Sequence, residues 1–143
     1  MGMDALLLDS GAVTEEQIAE ARTETQRTGE RIDQALVRMG HVTARTVLEA
    51  LASQLAMEIV DLAELDPPEA LTSLIPSRLI FRLHCMPIAD DGTRLQLATS
   101  DPLQLAELDE LRLLTGREIE LVLADNDDLR ALIRRRYGVA GDT

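Results

Sequence analysis

The chain has 143 residues, 45% of them hydrophobic, and carries 14 basic against 26 acidic residues for a net charge of −12. That supply of apolar side chains suits one ordinary domain or two very small ones and excludes a disordered chain. The acid excess, shared equally between residues 1–61 and 62–143, repels nucleic-acid phosphates and anionic lipid, so neither a nucleic-acid partner nor direct membrane insertion is expected.

The first elements are a repeat. Leu7-Leu8-Asp9-Ser10-Gly11-Ala12-Val13-Thr14 returns 29 residues on as Leu36-Val37-Arg38-Met39-Gly40-His41-Val42-Thr43, and the same offset sets Asp4 on Asp33. Two copies are too few for a solenoid and predict a pair of packed helical hairpins. A short apolar helix spans 4–9 and stops at Gly11. Thr14-Glu15-Glu16-Gln17 is a capping box that opens a longer helix, with Ile18, Ala21 and Thr25 inward, ended by Thr28-Gly29. Leu36, Val37, Ala35 and Met39 line a third helix that stops at Gly40. Thr43 caps a fourth through Val47, Leu48, Leu51 and Leu55. Each hairpin turns on a Gly-x-Val-Thr link whose valine is expected to fill the space between helices.

From about residue 58 the period changes. Glu58–Leu62 reads as a short strand, and the acidic stretch from Leu62 to Pro68 as the joint between two halves. Asp66 suits a helix cap, Pro67 the first helical position and Glu69 the third. A further short helix from Pro76 carries Leu79, Ile80 and Leu83 inward. Met86–Ala89 and Arg94–Thr99, joined through Asp91-Gly92, form a hairpin. Ser100-Asp101-Pro102 opens a helix through Leu105, Leu108, Leu111 and Leu114 that Gly116 stops. Glu118–Leu123 is a strand, and Asp125 or Asn126 caps a last helix ending near Tyr137-Gly138. The order β-α-α-β-β-α-β-α gives a small mixed sheet with helices on a face and a right-handed crossover from Leu97 to Val122. The predicted fold class is therefore α+β, with a four-helix repeat pair over 1–57 followed by a small mixed α/β unit over 58–143.

Several chemistries are excluded. Fourteen arginines stand with no lysine, a bias that a GC-rich genome explains, and without lysine there is neither a Walker A phosphate loop nor a Schiff base. Cys85 is the single cysteine, which fits a reducing compartment and an inert thiol buried at a strand start. His84 beside it and distant His41 give no zinc-ligand spacing. Asp125–Asp128 lacks the glycine and distal glutamate of a calcium loop. No Ser-His-Asp set is credible with these two histidines. The chain is expected to be no enzyme and to hold no metal. It has no apolar run of about 20 residues and no basic region ahead of its first apolar stretch, so a signal peptide is not expected and a cytoplasmic location is.

Taken together, these motifs resemble the N-terminal domain of the type II secretion system protein E and type IV pilus assembly ATPase family. The residues that carry the likeness are the paired Gly-x-Val-Thr hairpins, Leu51–Leu55 leading into Ile59–Leu62, Leu74-Ile75-Pro76, Pro87-Ile88, Ala98–Pro102, Leu111–Gly116 and the closing Arg136-Tyr137-Gly138. The resemblance covers about residue 5 to 138. It implies a non-catalytic interaction or regulatory domain that docks a hexameric motor on cytoplasmic components, such as a membrane-anchored platform protein. The sequence ends where that family's linker to the ATPase would begin, so a fragment or a stand-alone domain is expected, and Met1-Gly2 reads as an expression remnant.

A branch of that family binds cyclic di-GMP across its two repeats, each opening Arg-Leu-Gly and closing on Gln. Here the second repeat keeps Arg31 and Gln54 as nucleotide candidates but has Ile32-Asp33 where Leu-Gly would stand. The first opens Gly2-Met3-Asp4 and closes on Thr25. Both glycine positions are aspartate. A carboxylate about 4 Å from a phosphate costs roughly 4 kcal/mol at an effective dielectric near 20, whereas micromolar binding is worth about 8 kcal/mol in all. No cofactor is therefore expected, and cyclic di-GMP is disfavoured. Arg134, Arg135 and Arg136 complement the dipole at the end of the last helix and are the candidates for contact with an acidic partner surface.

Overall fold

The computed structural model describes residues 2–104 and 108–138. It divides into two compact units, Met1–Met57 and Glu58–Thr143. The division falls ahead of the stretch expected as the joint: Leu62 is buried in the core of the second unit.

The first unit holds α1 (Met3–Asp9), α2 (Glu15–Thr28), α3 (Ile32–Arg38) and α4 (Ala44–Leu55). Its core is Leu6, Leu7, Val13, Ile18, Ala21, Ala35, Leu36, Val47, Leu48 and Leu51, all buried. The repeat is carried into backbone geometry. Gly11 and Gly40 take φ of 79° and 81°, and each follows a short helix with the same pair of bonds. Gly11 N–H donates to Leu8 O and Ala12 N–H to Leu7 O, while Gly40 N–H donates to Val37 O and His41 N–H to Leu36 O. That left-handed stop is what glycine allows. Thr14 and Thr43 then cap α2 and α4, with the reciprocal Gln17 bond completing the box at Thr14. The valines of the two links differ: Val13 is buried, whereas Val42 is half-buried at the wall of a depression. Thr25, expected inward, is also only half-buried.

The second unit holds α5 (Glu69–Thr72), α6 (Ser77–Leu83), β1 (Cys85–Asp90), β2 (Arg94–Thr99), α7 (Leu108–Thr115), β3 (Glu118–Leu123) and α8 (Asn126–Tyr137), with one turn of 3-10 helix at Pro102–Gln104. The sheet order is β1-β2-β3, the first pair antiparallel and the second parallel. Leu95 and Leu97 of β2 are fully buried at its centre, with Cys85, Met86, Val122, Leu129 and Leu132. Asp91 Oδ1 accepts from the N–H groups of Thr93 and Arg94 and so closes the hairpin turn. Asp125 caps α8 by accepting from Asp127 and Asp128 N–H.

Three expectations are corrected. Glu58–Leu62 makes a single parallel bridge, Ile59 to Leu123, rather than a strand. Asp66 does not cap a helix; α5 starts two residues later with Pro68 as its N-cap, because Pro67 precedes a proline and is barred from the helical region. The helix expected from Ser100 is 3-10 at first, and α7 begins at Leu108, with Leu105 outside the described residues. On α7, Leu111 is buried, but Leu114 is 47% and Leu113 88% exposed. No described helix is long and apolar enough to cross a membrane.

Candidate functional site

The repeat places its two aspartates at equivalent points, in the first turns of α1 and α3, where the helix dipole favours a carboxylate. Both are met by arginine. Arg31, the N-cap of α3, folds back so that its Nε and Nη2 donate to the two oxygens of Asp33 at 2.8 and 2.7 Å. The Asp33 carboxylate is 8% exposed and the Arg31 side chain 25%. Asp4 is paired with Arg22 of α2 and also accepts from Ala5 N–H. The Arg22 guanidinium holds the Asp4 carboxyl below the usual carboxylate range, against the opposing effect of burial. Gln54 is exposed in the last turn of α4. Arg31 and Gln54 thus bracket the second repeat, one committed to a carboxylate of its own helix and the other in solvent.

Around this pair the first unit is tied by charge. Arg38 Nη2 donates to Glu24 of α2 and to Glu30 ahead of α3. Both carboxyls lie below their usual range because of arginine bonds, Arg27 and Arg38 at Glu24 and Arg38 at Glu30. His41 Nε2 lies 2.8 Å from Glu20 Oε2 across the hairpins. Beside His41 a depression of about 620 Å³ is lined by Ala12, Val37, Val42, Thr43 and Thr46.

In the second unit the three terminal arginines of α8 part company. Arg135 Nη2 donates to Leu65 O at 2.8 Å and Arg136 Nη1 to Asp66 Oδ1 at 3.2 Å, so these two hold the segment ahead of α5. Arg134 is exposed. A depression of about 430 Å³ lies between the start of α6 and the end of α8, walled by Ile75, Pro76, Ser77, Arg136 and Tyr137. The Tyr137 hydroxyl donates to Thr72 O and burial pushes it up to about 12.

Cys85 is fully buried at the start of β1, and burial pushes its thiol up to about 12, which leaves almost no nucleophilic thiolate at neutral pH. His84, at φ 52°, ends α6 and its Nε2 lies 3.0 Å from Asn126 Oδ1. Ser100 Oγ donates to the same oxygen. This network ties the end of α6 and the residue after β2 to the start of α8. Among the described residues no group of three or more His, Cys, Asp or Glu is placed to hold a metal ion. Arg78 and Arg130, which no sequence motif singles out, are exposed on α6 and α8.

The MshEN domain family model matches residues 55–143. The chain belongs to the MshEN domain family. The match covers the α/β unit, and likeness to individual proteins extends over the repeat as well. The type IV pilus assembly ATPase PilB of Myxococcus xanthus is 29% identical over 95% of this chain and 24% of its own length. The type II secretion system protein E of Xanthomonas campestris is 29% identical over 92% of this chain and 24% of its own. This MshEN domain therefore spans about a quarter of the length of these relatives. Among solved structures, MshE with cdg (cyclic di-GMP) superposes with a TM-score of 0.77 at 28% identity, covering 96% of this chain and 99% of that one. The N-terminal domain of XpsE gives 0.71 at 27% identity, covering 93% and 92%. The likeness to N-terminal regions of secretion and pilus ATPases, expected from the motifs, is thereby established, and so is the mixed α/β fold.

Proposed function

We propose that this MshEN domain is a non-catalytic docking and regulatory module of a type IV pilus or type II secretion motor. It holds the ATPase against a platform component at the cytoplasmic face of the machine, itself anchored in the membrane. The observation that carries this reading is the chain-wide likeness to N-terminal regions of such ATPases, and both aspartates at equivalent points of the repeat are paired with arginine. Titration of the chain with the cytoplasmic part of the platform component tests it. A saturable 1:1 complex is expected, and no binding to any candidate component removes the reading.

The likeness to MshE solved with cdg favours a second reading, a cyclic-dinucleotide sensor. The Arg31–Asp33 pair changes the physics of that reading. Pairing relieves part of the repulsion a lone Asp33 would exert on a phosphate. The same pairing withdraws the guanidinium that would stack on or bond a guanine, and freeing it would strand a buried carboxylate. In the first repeat Asp4, the counterpart of Asp33, is likewise held by an arginine, Arg22. The docking reading is therefore preferred.

A further inference from the structure

Acids outnumber arginines in this chain 26 to 14, so an arginine with no acidic neighbour is the exception. Most reach a carboxylate or a carbonyl. Among the described residues, Arg78, Arg130 and Arg134 have no such partner and are exposed. They lie on two helices that pack together, α6 and α8, both of which also pack on β1. The helices run antiparallel. His84 at the end of α6 bonds Asn126 at the start of α8, and Pro76 and Ser77 share a depression with Arg136 and Tyr137 at the opposite ends. Arg78, in the first turn of α6, is thus toward the end of α8 whose last turns carry Arg134. Arg82, paired with Glu110 at 3.2 Å, lies one turn along α6 toward the level of Arg130. The buried sides of the two helices, Leu79 and Ile80 on one and Leu129, Leu132 and Ile133 on the other, leave these arginines on the outer faces.

Local stability does not account for the set. Arg134 complements the dipole at its helix end, but Arg78 is the second residue of α6, where a cation is disfavoured. Arg130 and Arg134 are a like-charge pair at i and i+4, which weakens a helix. Asp127 is the one acid on the exposed face of α8, and it sits in the first turn.

We propose that the outer faces of α6 and α8 form a basic strip that receives an acidic segment of a protein partner, with Arg78, Arg130 and Arg134 as its contacts. The proposal rests on the docking reading and names its surface. Arg130 and Arg134 are about 6 Å apart along their helix, the spacing of two carboxylates one turn apart on a partner helix, and guanidinium forks bind carboxylates in pairs. A short acidic segment meets the strip alone. An extended anionic surface such as a membrane meets the rest of the acidic molecule as well and is repelled.

The test is amide chemical-shift mapping on the labelled full chain, titrated with a poly-glutamate peptide of about ten residues and, separately, with phosphatidylserine vesicles. Shifts confined to α6 and α8, weakened about tenfold in R78Q/R130Q/R134Q with its fold intact by circular dichroism, and lost at high salt, are the expected result. Absence of shifts, shifts centred on the first unit, or vesicle binding through the same arginines overturns the strip. The platform component separates the two claims. Equal binding by wild type and triple variant overturns the strip and leaves docking standing. No binding by either, with the peptide still mapping to α6 and α8, overturns docking and leaves the strip.

Discussion

Asp33 is a charged residue at a helix start, and its neighbours make it tenable. Its carboxylate is nearly buried and both oxygens are taken by Arg31. Removing Arg31 leaves that charge uncompensated, so R31A is expected to cost about 2–3 kcal/mol in urea unfolding, and R31A/D33A to recover most of it. A neutral R31A would mean the pair is an ordinary surface contact. Cys85 gives a second residue-scale expectation. With its thiol buried and pushed up to about 12, it should resist thiol reagents in the native protein and react in full once unfolded, and rapid native labelling would contradict that burial. Asp128 is pushed upward, first by burial and then by Asp125, Asp61 and Asp127. Its ionised form therefore opposes folding above that raised range, and the penalty disappears as pH falls through it. D128N should stabilise at neutral pH, by a few tenths of a kcal/mol for a screened surface charge, and the gain should vanish in acid. The two aspartates of the repeat were legible as departures from a pattern. Their partners were not, because Arg22 reaches Asp4 across a hairpin and Arg31 reaches Asp33 two residues on at a helix start, and neither contact follows the helical period of three or four. Arg78 and Arg134 did leave a trace in the sequence, since neither has an acid three or four residues away.

Elements were most legible where the signal is stereochemical. The Thr14 capping box, the Thr43 and Asp125 caps, the glycine stops and the Asp91-Gly92 turn each specify one backbone shape, and each stands where its residues put it. Elements that depend on partners were harder to read. Glu58–Leu62 has strand composition, but only the Ile59 bridge engages β3. Leu105, Leu108, Leu111 and Leu114 read as one apolar stripe. Spaced by three, they drift about 60° per step around a helix, and Leu114 is 47% exposed where Leu111 is buried. Helix α4 ends on Ala56 at φ 53°, a left-handed conformation that a side chain resists. A56G should therefore stabilise the protein by about 0.5–1 kcal/mol, whereas G11A or G40A, at the equivalent left-handed stops, should cost about 1–2 kcal/mol. Thermal unfolding of the three variants checks the signs. His84 has the same backbone geometry, but its ring bonds Asn126, so H84G is not expected to gain.

At the scale of the whole molecule, charge sets the response to pH. Asp4, Glu24, Glu30, Asp90 and Asp91 all lie below their usual range, held there mainly by arginines or, for Asp91, by backbone N–H groups. Carboxyls lowered in the folded state contribute stability above their unfolded pKa and lose it as pH falls through the folded one. Unfolding in acid should therefore set in below about pH 4, and a flat stability down to pH 2 would contradict these pairs. The two readings of the first unit part on whether the repeat takes a nucleotide or serves as a scaffold for protein contact. Calorimetric titration of the full chain with cyclic di-GMP answers it most directly. No saturable heat at about 100 µM ligand is the predicted result, and a saturable isotherm in the micromolar range would contradict the scaffold role.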